Sequence, residues 1–267
     1  MKTRFFDGSG PRVFAHRGAS GDAPENTLVA FEMAVEAGAD ILEMDVHATR
    51  DGHIVVLHDE DLARTTNGAG VVSSVTLEEL RRLDAGYRFS PEGTERFPYR
   101  GKNVTIPTLQ EVAERFPKVP FNIEIKQIEP PIERRVFDVL KKTGHAEITL
   151  LAAEKDSFIQ RIRALESGLP TNFASSEVLE FLQRVYRRDW SAYEPPGQAL
   201  QIPETYEGMK VLTKEMLEAA HEFGVEVHVW TVKEEADMRR LLDMGVDGIM
   251  TDYPDRLAGT LRKMQMR

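Results

Sequence analysis

Ile41-Leu42-Glu43-Met44-Asp45-Val46-His47 leads into Arg50-Asp51-Gly52-His53 and returns as Ile54-Val55-Val56-Leu57-His58-Asp59. Side chains alternate along a strand, so Glu43 and Asp45 share one face. Asp-Gly between alternating apolar runs is a two-residue hairpin signal. It predicts Arg50 opposite His53, Thr49 opposite Ile54 and, further down, Asp45 opposite His58. The stretch therefore predicts a strand bearing a carboxylate pair and a hairpin arm that returns an imidazole beside it. Paired carboxylates suit a hard metal ion, and an adjacent imidazole suits proton transfer.

Outward from this unit, short apolar strands alternate with amphipathic helices along the chain. Strands are expected at Arg12–His16, Ile41–His47, Phe121–Lys126, Ile148–Ala152, Thr171–Ala174, Ala199–Ile202, Glu226–Thr231 and Gly248–Thr251, with Ile54–His58 a hairpin extension of the second. Leu28, Phe31 and Val35 share one helical face after an Asn26/Thr27 cap, and Gly38 ends that helix. Thr76 with Glu79, Thr108 with Glu111 and Thr231 with Glu234 have the spacing of capping boxes. Further helices are expected at 77–84, 132–143, 156–167, 177–188, 213–223, 234–244 and 255–264.

Eight such repeats predict an α/β fold of the (β/α)8 TIM-barrel type. A doubly wound open sheet would place a Gly-rich phosphate loop after its first strand. His16-Arg17-Gly18-Ala19-Ser20-Gly21 does not fit that pattern. One domain over 1–267 is expected, with residues 61–107 an insertion or lid over the barrel mouth after the second strand. Its aromatics Tyr87, Phe89, Phe97 and Tyr99 would face the mouth.

Composition removes several function classes. With no cysteine, disulfides and thiolate-bound zinc or iron–sulfur sites are excluded. At net charge −10, with basic residues scattered as helix pairs such as Arg81-Arg82 and Lys141-Lys142, no nucleic-acid-binding stripe exists. Met1 to Pro11 has no apolar leader core, and no run approaches the roughly 20 apolar residues that span a bilayer. A cytoplasmic protein without a transmembrane segment is the expectation.

Barrel catalysis sits at the C-terminal ends of the strands. His16 and Arg17 end the first strand, Glu43 and Asp45 lie on the second, and Glu124 and Lys126 on the third. Ionisable groups in strands are costly to bury unless they are paired or metal-bound. Glu43, Asp45 and Glu124 thus form a candidate site for one divalent cation, Mg²⁺ or Ca²⁺. The competing reading pairs these carboxylates with Arg17 and Lys126 and no metal. His16 and His58 are the candidate acid and base. Arg17 and Lys126 would face an anionic phosphodiester, and Trp230 is a candidate pocket wall. His228 shares the face of Trp230 and could line the pocket, whereas His47, His53, His145 and His221 are expected to be structural.

His16-Arg17-Gly18, Pro24-Glu25-Asn26-Thr27, Glu43-Met44-Asp45-Val46, His58-Asp59, Asn122-Ile123-Glu124-Ile125-Lys126, Val229-Trp230-Thr231 and Gly248-Ile249-Met250-Thr251-Asp252-Tyr253-Pro254-Asp255 together resemble the glycerophosphodiester phosphodiesterase family, in order from about residue 12 to 256. The chain is most similar to the cytoplasmic bacterial members. The resemblance implies hydrolysis of a small-molecule glycerophosphodiester to sn-glycerol 3-phosphate and an alcohol, an activity of glycerol and lipid metabolism. It matches Glu43, Asp45 and Glu124 to metal ligands, His16 and His58 to the acid/base pair, and Arg17 and Lys126 to phosphate contacts. Glu25 matches a supporting position close to the site. Hydrolysis is expected to pass through a cyclic glycerol phosphate. A lysophospholipase D acting at the same site is a second reading, which needs an apolar channel that the aromatic segment 87–99 could supply. A third reading, from another class, is a non-catalytic barrel that binds phosphodiesters or lipid head groups.

Overall fold

Along Ile41–Ala48 every residue is buried, because the strand is covered on both sides. Leu42, Met44 and Val46 join an outer apolar layer under the helices, while Glu43 and Asp45 face the other way. This is the pattern of a barrel strand with a polar upper interior. The computed structural model describes residues 3–8, 10–165 and 168–267.

The strands are β1 (Arg12–Ala15), β2 (Ile41–Ala48), β3 (Ile54–Val56), β4 (Phe121–Ile125), β5 (Thr149–Ala152), β6 (Ala199–Ile202), β7 (Thr205–Tyr206), β8 (Met209–Lys210), β9 (Glu226–Val229) and β10 (Gly248–Thr251). The parallel sheet runs β5-β4-β2-β1-β10-β9-β6. Single parallel bridges Leu151↔Thr171 and Asn172↔Ala199 insert the 171–172 segment between β5 and β6 and close the ring. The fold is the expected (β/α)8 barrel. Its fifth strand is reduced to two bridges, because Asn172 pairs through its side chain, accepting from Ala153 N (3.0 Å) and donating to Ala153 O (3.1 Å).

Around it lie α1 (Leu28–Ala37), α2 (Leu77–Leu80), α3 (Leu109–Arg115), α4 (Glu133–Thr143), α5 (Asp156–Ala164), α6 (Ser175–Arg187), α7 (Lys214–Glu222), α8 (Glu235–Met244) and α9 (Pro254–Lys263). Thr27 caps α1, and Gly38 ends it in the left-handed region. The Thr76/Glu79 and Thr108/Glu111 boxes both form. The expected Thr231/Glu234 box does not, since α8 starts later and has Glu234 at its uncapped N-cap. The helix expected over 77–84 is a single turn, after which Asp84 accepts from Gly86 N and Gly101 N instead. Residues 166–167, the expected end of the 156–167 helix, lie outside the described residues. Among the described residues no helix is long and apolar enough to cross a membrane.

The barrel floor is apolar: Phe5, Phe14, Ile41, Leu150, Ala152, Ala199 and Met250 pack together. Residues 61–107 have a core of their own, in which Leu62, Val72, Leu80, Val104 and Ile106 pack on Val55 and Leu57.

The hairpin corrects one expectation. Val46 pairs with Val56, His47 with Val55 and Ala48 with Ile54, and Leu57 N donates to Asp45 O. Asp45 therefore lies opposite Leu57 rather than His58. Thr49 N donates to His53 O, so the loop is Arg50-Asp51-Gly52, with Gly52 at φ 87°. A three-residue loop with a left-handed third residue replaces the two-residue turn and moves the register by one.

Candidate active site

Parallel pairing of β2 with β4 sets Asp45 beside Glu124 and Glu43 beside Asn122. With Glu43 two residues before Asp45, the three carboxylates are bound to meet. One oxygen from each lies within 4.8 Å of the others. Glu43 and Asp45 are buried, and Glu124 is only partly exposed. Lys126 Nζ stands 2.8 Å from Glu124 Oε1 and 3.4 Å from Asp45 Oδ1. Arg17 Nε stands 3.1 Å from Asp45 Oδ2, close enough for an ion pair but not aligned as a hydrogen bond.

These contacts divide the carboxylates. Burial raises all three, but Arg17 and Lys126 outweigh it at Asp45 and hold that carboxyl below its ordinary value. Glu43 has no such pair. Burial, with the charge of Asp45 beside it, pushes it up to about 7. Glu124 is raised as well, by burial and then by Asp45, against the pull of Lys126.

The loop after β1 brings the first histidine. Arg17 takes φ 56° and Gly18 φ 86°, and this bend lets Arg17 N donate to Glu43 Oε2 (2.9 Å). His16 Nδ1 lies 2.7 Å from Asp252 Oδ1, just beyond β10, where Ser20 Oγ also donates (3.0 Å). Burial pushes Asp252 up, yet its bonds from His16 and Ser20 and the charge of Lys233 take it down to about 2. An ionised carboxylate only accepts, so Nδ1 carries the hydrogen and Nε2 is left for chemistry. Burial would lower the His16 pKa, but Asp252 and Glu43 outweigh it and raise it.

His58 reaches the same cavity by leaving the ladder after Val56. His47 Nε2 donates to the His58 carbonyl (3.0 Å), which gives His47 the expected structural role. His58 Nδ1 lies 2.6 Å from Asp59 Oδ1. Each candidate histidine thus has a carboxylate on Nδ1.

His16, Arg17, Glu43, His58, Glu124 and Lys126 border one cavity of about 690 Å³, within the range that holds a small ligand. Its other half is apolar: Phe173, then Val178, Leu179 and Leu182 of α6, Tyr206 and Met209 of the β7–β8 hairpin, and Trp230. Trp230 is 42% exposed at the rim. None of residues 61–107 lines this cavity, so the apolar wall does not come from the aromatics at 87–99. His228 does not line it either. It is fully buried, with Nδ1 accepting from Gln201 Nε2 (3.2 Å) and Nε2 donating to Glu226 Oε2 (2.9 Å). Glu25 lies behind Arg17, accepting from its NH1 (3.0 Å).

Several functional neighbours were given no site role by the sequence, although three of them stand in its motifs. Asn26, at φ 58°, donates from Nδ2 to Asp45 Oδ2 (3.0 Å). Asp59 sits next to His58, and that adjacency was a usable signal. Asp252 was placed at the end of the eighth strand, but its partnership with His16 appears only once β1 and β10 are paired, Ala15 beside Thr251. Arg64 contacts both Asp59 and Glu25 and had no sequence signal at all.

The glycerophosphoryl diester phosphodiesterase family model matches residues 16–256. A glycerophosphodiester phosphodiesterase of Caldanaerobacter subterraneus is 36% identical over 257 residues, covering 94% of this chain and 98% of the relative. A lysophospholipase D of Mus musculus is 30% identical over 271 residues, covering 92% and 84%. The chain also superposes, with TM-score 0.75 and 27% identity, on an Oleispira antarctica phosphodiesterase solved with its product sn-glycerol-3-phosphate. That match covers 94% of this chain and 97% of the other.

Proposed function

The chain belongs to the glycerophosphoryl diester phosphodiesterase family, and we propose on that premise that its barrel mouth hydrolyses glycerophosphodiesters to sn-glycerol 3-phosphate and an alcohol, with one divalent cation bound. One observation carries the reading: two histidines, each backed by a carboxylate, flank three converging carboxylates in a single cavity. A binding barrel has no use for a proton-transfer pair so arranged, which weighs against the non-catalytic reading.

The donor set fits a hard cation. Arg17 and Lys126 contact Asp45 and Glu124, whereas buried Glu43 has no cationic side chain in contact and is pushed up to about 7, so a cation is what would let all three ionise together. Glu43, Asp45 and Glu124 would hold Mg²⁺ or Ca²⁺ through oxygen alone. When bound, the cation would supply Lewis acidity at the reacting phosphodiester.

The residues of the chain divide the remaining work. One histidine Nε2 takes the proton of the glycerol hydroxyl next to phosphorus as its oxygen attacks. The other protonates the departing alcohol oxygen as its bond to phosphorus breaks. The cyclic glycerol phosphate so formed is opened by water, with the histidines exchanging roles. Asp252 and Asp59 hold the Nδ1–H tautomers that this exchange requires. Arg17 and Lys126 offset charge on the phosphoryl oxygens. The test is release of sn-glycerol 3-phosphate from a panel of glycerophosphodiesters after chelation, then with Mg²⁺ or Ca²⁺ restored. Full turnover in the chelated protein would remove the metal from this reading.

A lysophospholipase D activity at the same site is the second reading. It is favoured by the apolar wall of α6 and the β7–β8 hairpin, which a glycerol head group does not need.

A further inference from the structure

Arg64 lies outside the cavity, 44% exposed at its side chain, in the segment that follows the hairpin. Exposed ion pairs generally contribute little to stability. This one is unusual in what it connects. Arg64 NH1 donates to Glu25 Oε2 (2.8 Å) and NH2 to Glu25 Oε1 (2.7 Å), a bidentate fork, while Nε donates to Asp59 Oδ2. The other oxygen of Asp59 faces His58 Nδ1, and Glu25 Oε1 also accepts from Arg17 NH1. An unbroken series runs His58–Asp59–Arg64–Glu25–Arg17–Asp45.

The backbone under Arg64 is fixed independently. Asp61 Oδ1 accepts from Ala63 N (2.7 Å), Thr66 N and Oγ1 both donate to Leu62 O, and Leu62 is buried in the separate core of the 61–107 segment. A planar guanidinium on such a turn can hold two carboxylates at set angles, and a lysine ammonium cannot.

We propose that Arg64 is a positioning residue for this reaction: by bridging Asp59 and Glu25 it fixes His58 and Arg17 in one joint arrangement and makes their geometry depend on the 61–107 segment. The proposal rests on the phosphodiesterase reading for its kinetic arm and on geometry alone for its spectroscopic arm. Two outcomes follow for the folded variants. R64M loses about 10- to 100-fold in kcat on a glycerophosphodiester, the range expected for a residue that orients a working group, and R64K stays within about threefold of R64M. Because one of its two arms passes through Asp59, the D59N/R64M double variant loses less than the product of the two single losses, the remainder being the arm through Glu25 to Arg17.

The independent measurement is the ¹⁵N spectrum of the His58 imidazole in the metal-free protein. The Nδ1–H tautomer dominates in wild type and gives way to a mixture in R64M and R64K. A role confined to stability would move the melting temperature and leave this spectrum alone. R64M at wild-type kcat, full recovery in R64K, multiplicative losses in the double variant, or an unchanged His58 tautomer would each overturn the proposal. A wild-type protein that turns over no glycerophosphodiester would defeat the functional reading instead, leaving the tautomer result to judge Arg64.

Discussion

Asp252 Oδ1 lies 2.7 Å from Nδ1 of His16, across the seam where the first and last barrel strands pair. The two residues are 236 positions apart, so closure of the ring is what makes the dyad. D252N replaces a carboxylate that can only accept with an amide that can also donate, so the Nδ1–H tautomer is no longer enforced, and turnover should fall by up to about 10⁴-fold. The sign of the pH effect is also fixed. Asp252 and Glu43 raise the His16 pKa, while burial and Arg17 lower it. Without Asp252 the lowering causes gain, so whichever limb of the pH–rate profile belongs to His16 moves to lower pH. Steady-state kinetics from pH 5 to 9 checks this, and a shift to higher pH contradicts the dyad.

Glu43 gives a test that needs no substrate. Its folded-state pKa is about 7 against an ordinary 4.5. Between those values the folded protein binds the proton more tightly than the unfolded chain. The stability this confers is present at low pH and lost as pH rises through about 7. In chelated protein, E43Q should therefore flatten the decline in urea midpoint between pH 5 and 8 and melt a few degrees higher than wild type at pH 8. Adding Mg²⁺ or Ca²⁺ reverses the order: wild type gains about 2.7 kcal/mol at a hundredfold excess over Kd, and E43Q gains less. An E43Q protein that is less stable without metal would count against the charge argument.

His228 works in the opposite direction. Its complete burial, with Arg12 nearby, drives its pKa well below 6.5. The folded protein then resists a proton that the unfolded chain accepts, so this stability is present above pH 6.5 and lost as pH falls below it. One such group contributes a slope of about 1.4 kcal/mol per pH unit. H228N should be destabilised at every pH, having lost its contact with Phe14, yet show a shallower acid loss. His47 and His145 are lowered too, so the difference from wild type isolates His228. Urea titrations at pH 5 and 7.5 provide the measurement.

The barrel was legible because strand–helix alternation and caps are local signals. The carboxylate triad was legible because Glu43 and Asp45 share a strand face and Glu124 lies on the next barrel strand. The hairpin was misread for a reason equally local: Asp51-Gly52 fits both a two-residue turn and the end of a three-residue loop, and only the bond from Thr49 N to His53 O decides between them. His58 still reaches the cavity because the ladder stops at Val56 and the chain is free to turn. Contacts made across the ring, His16 with Asp252 or Gln201 with His228, depend on which strands become neighbours. The apolar wall was sought in the aromatic segment 87–99 because aromatics signal a pocket. It arises instead from α6 and a two-residue-strand hairpin, whose Leu179, Tyr206 and Met209 are unremarkable in sequence.

That wall offers a test between substrate classes. Leu179 and Met209 line the cavity and are each 49% exposed. An acyl chain lying along α6 would bury against them at about 0.8 kcal/mol per methylene, whereas choline or glycerol has no such chain to bury. L179D and M209D should each lower kcat/KM on a lysophosphatidylcholine about tenfold or more and change glycerophosphocholine less than threefold. F97A, in the segment that does not line the cavity, should leave the ratio of the two substrates unchanged. Equal losses on both substrates in L179D would place the damage at the shared site. A wild-type enzyme inert toward lysophosphatidylcholine would remove the second reading and confine the activity to water-soluble glycerophosphodiesters.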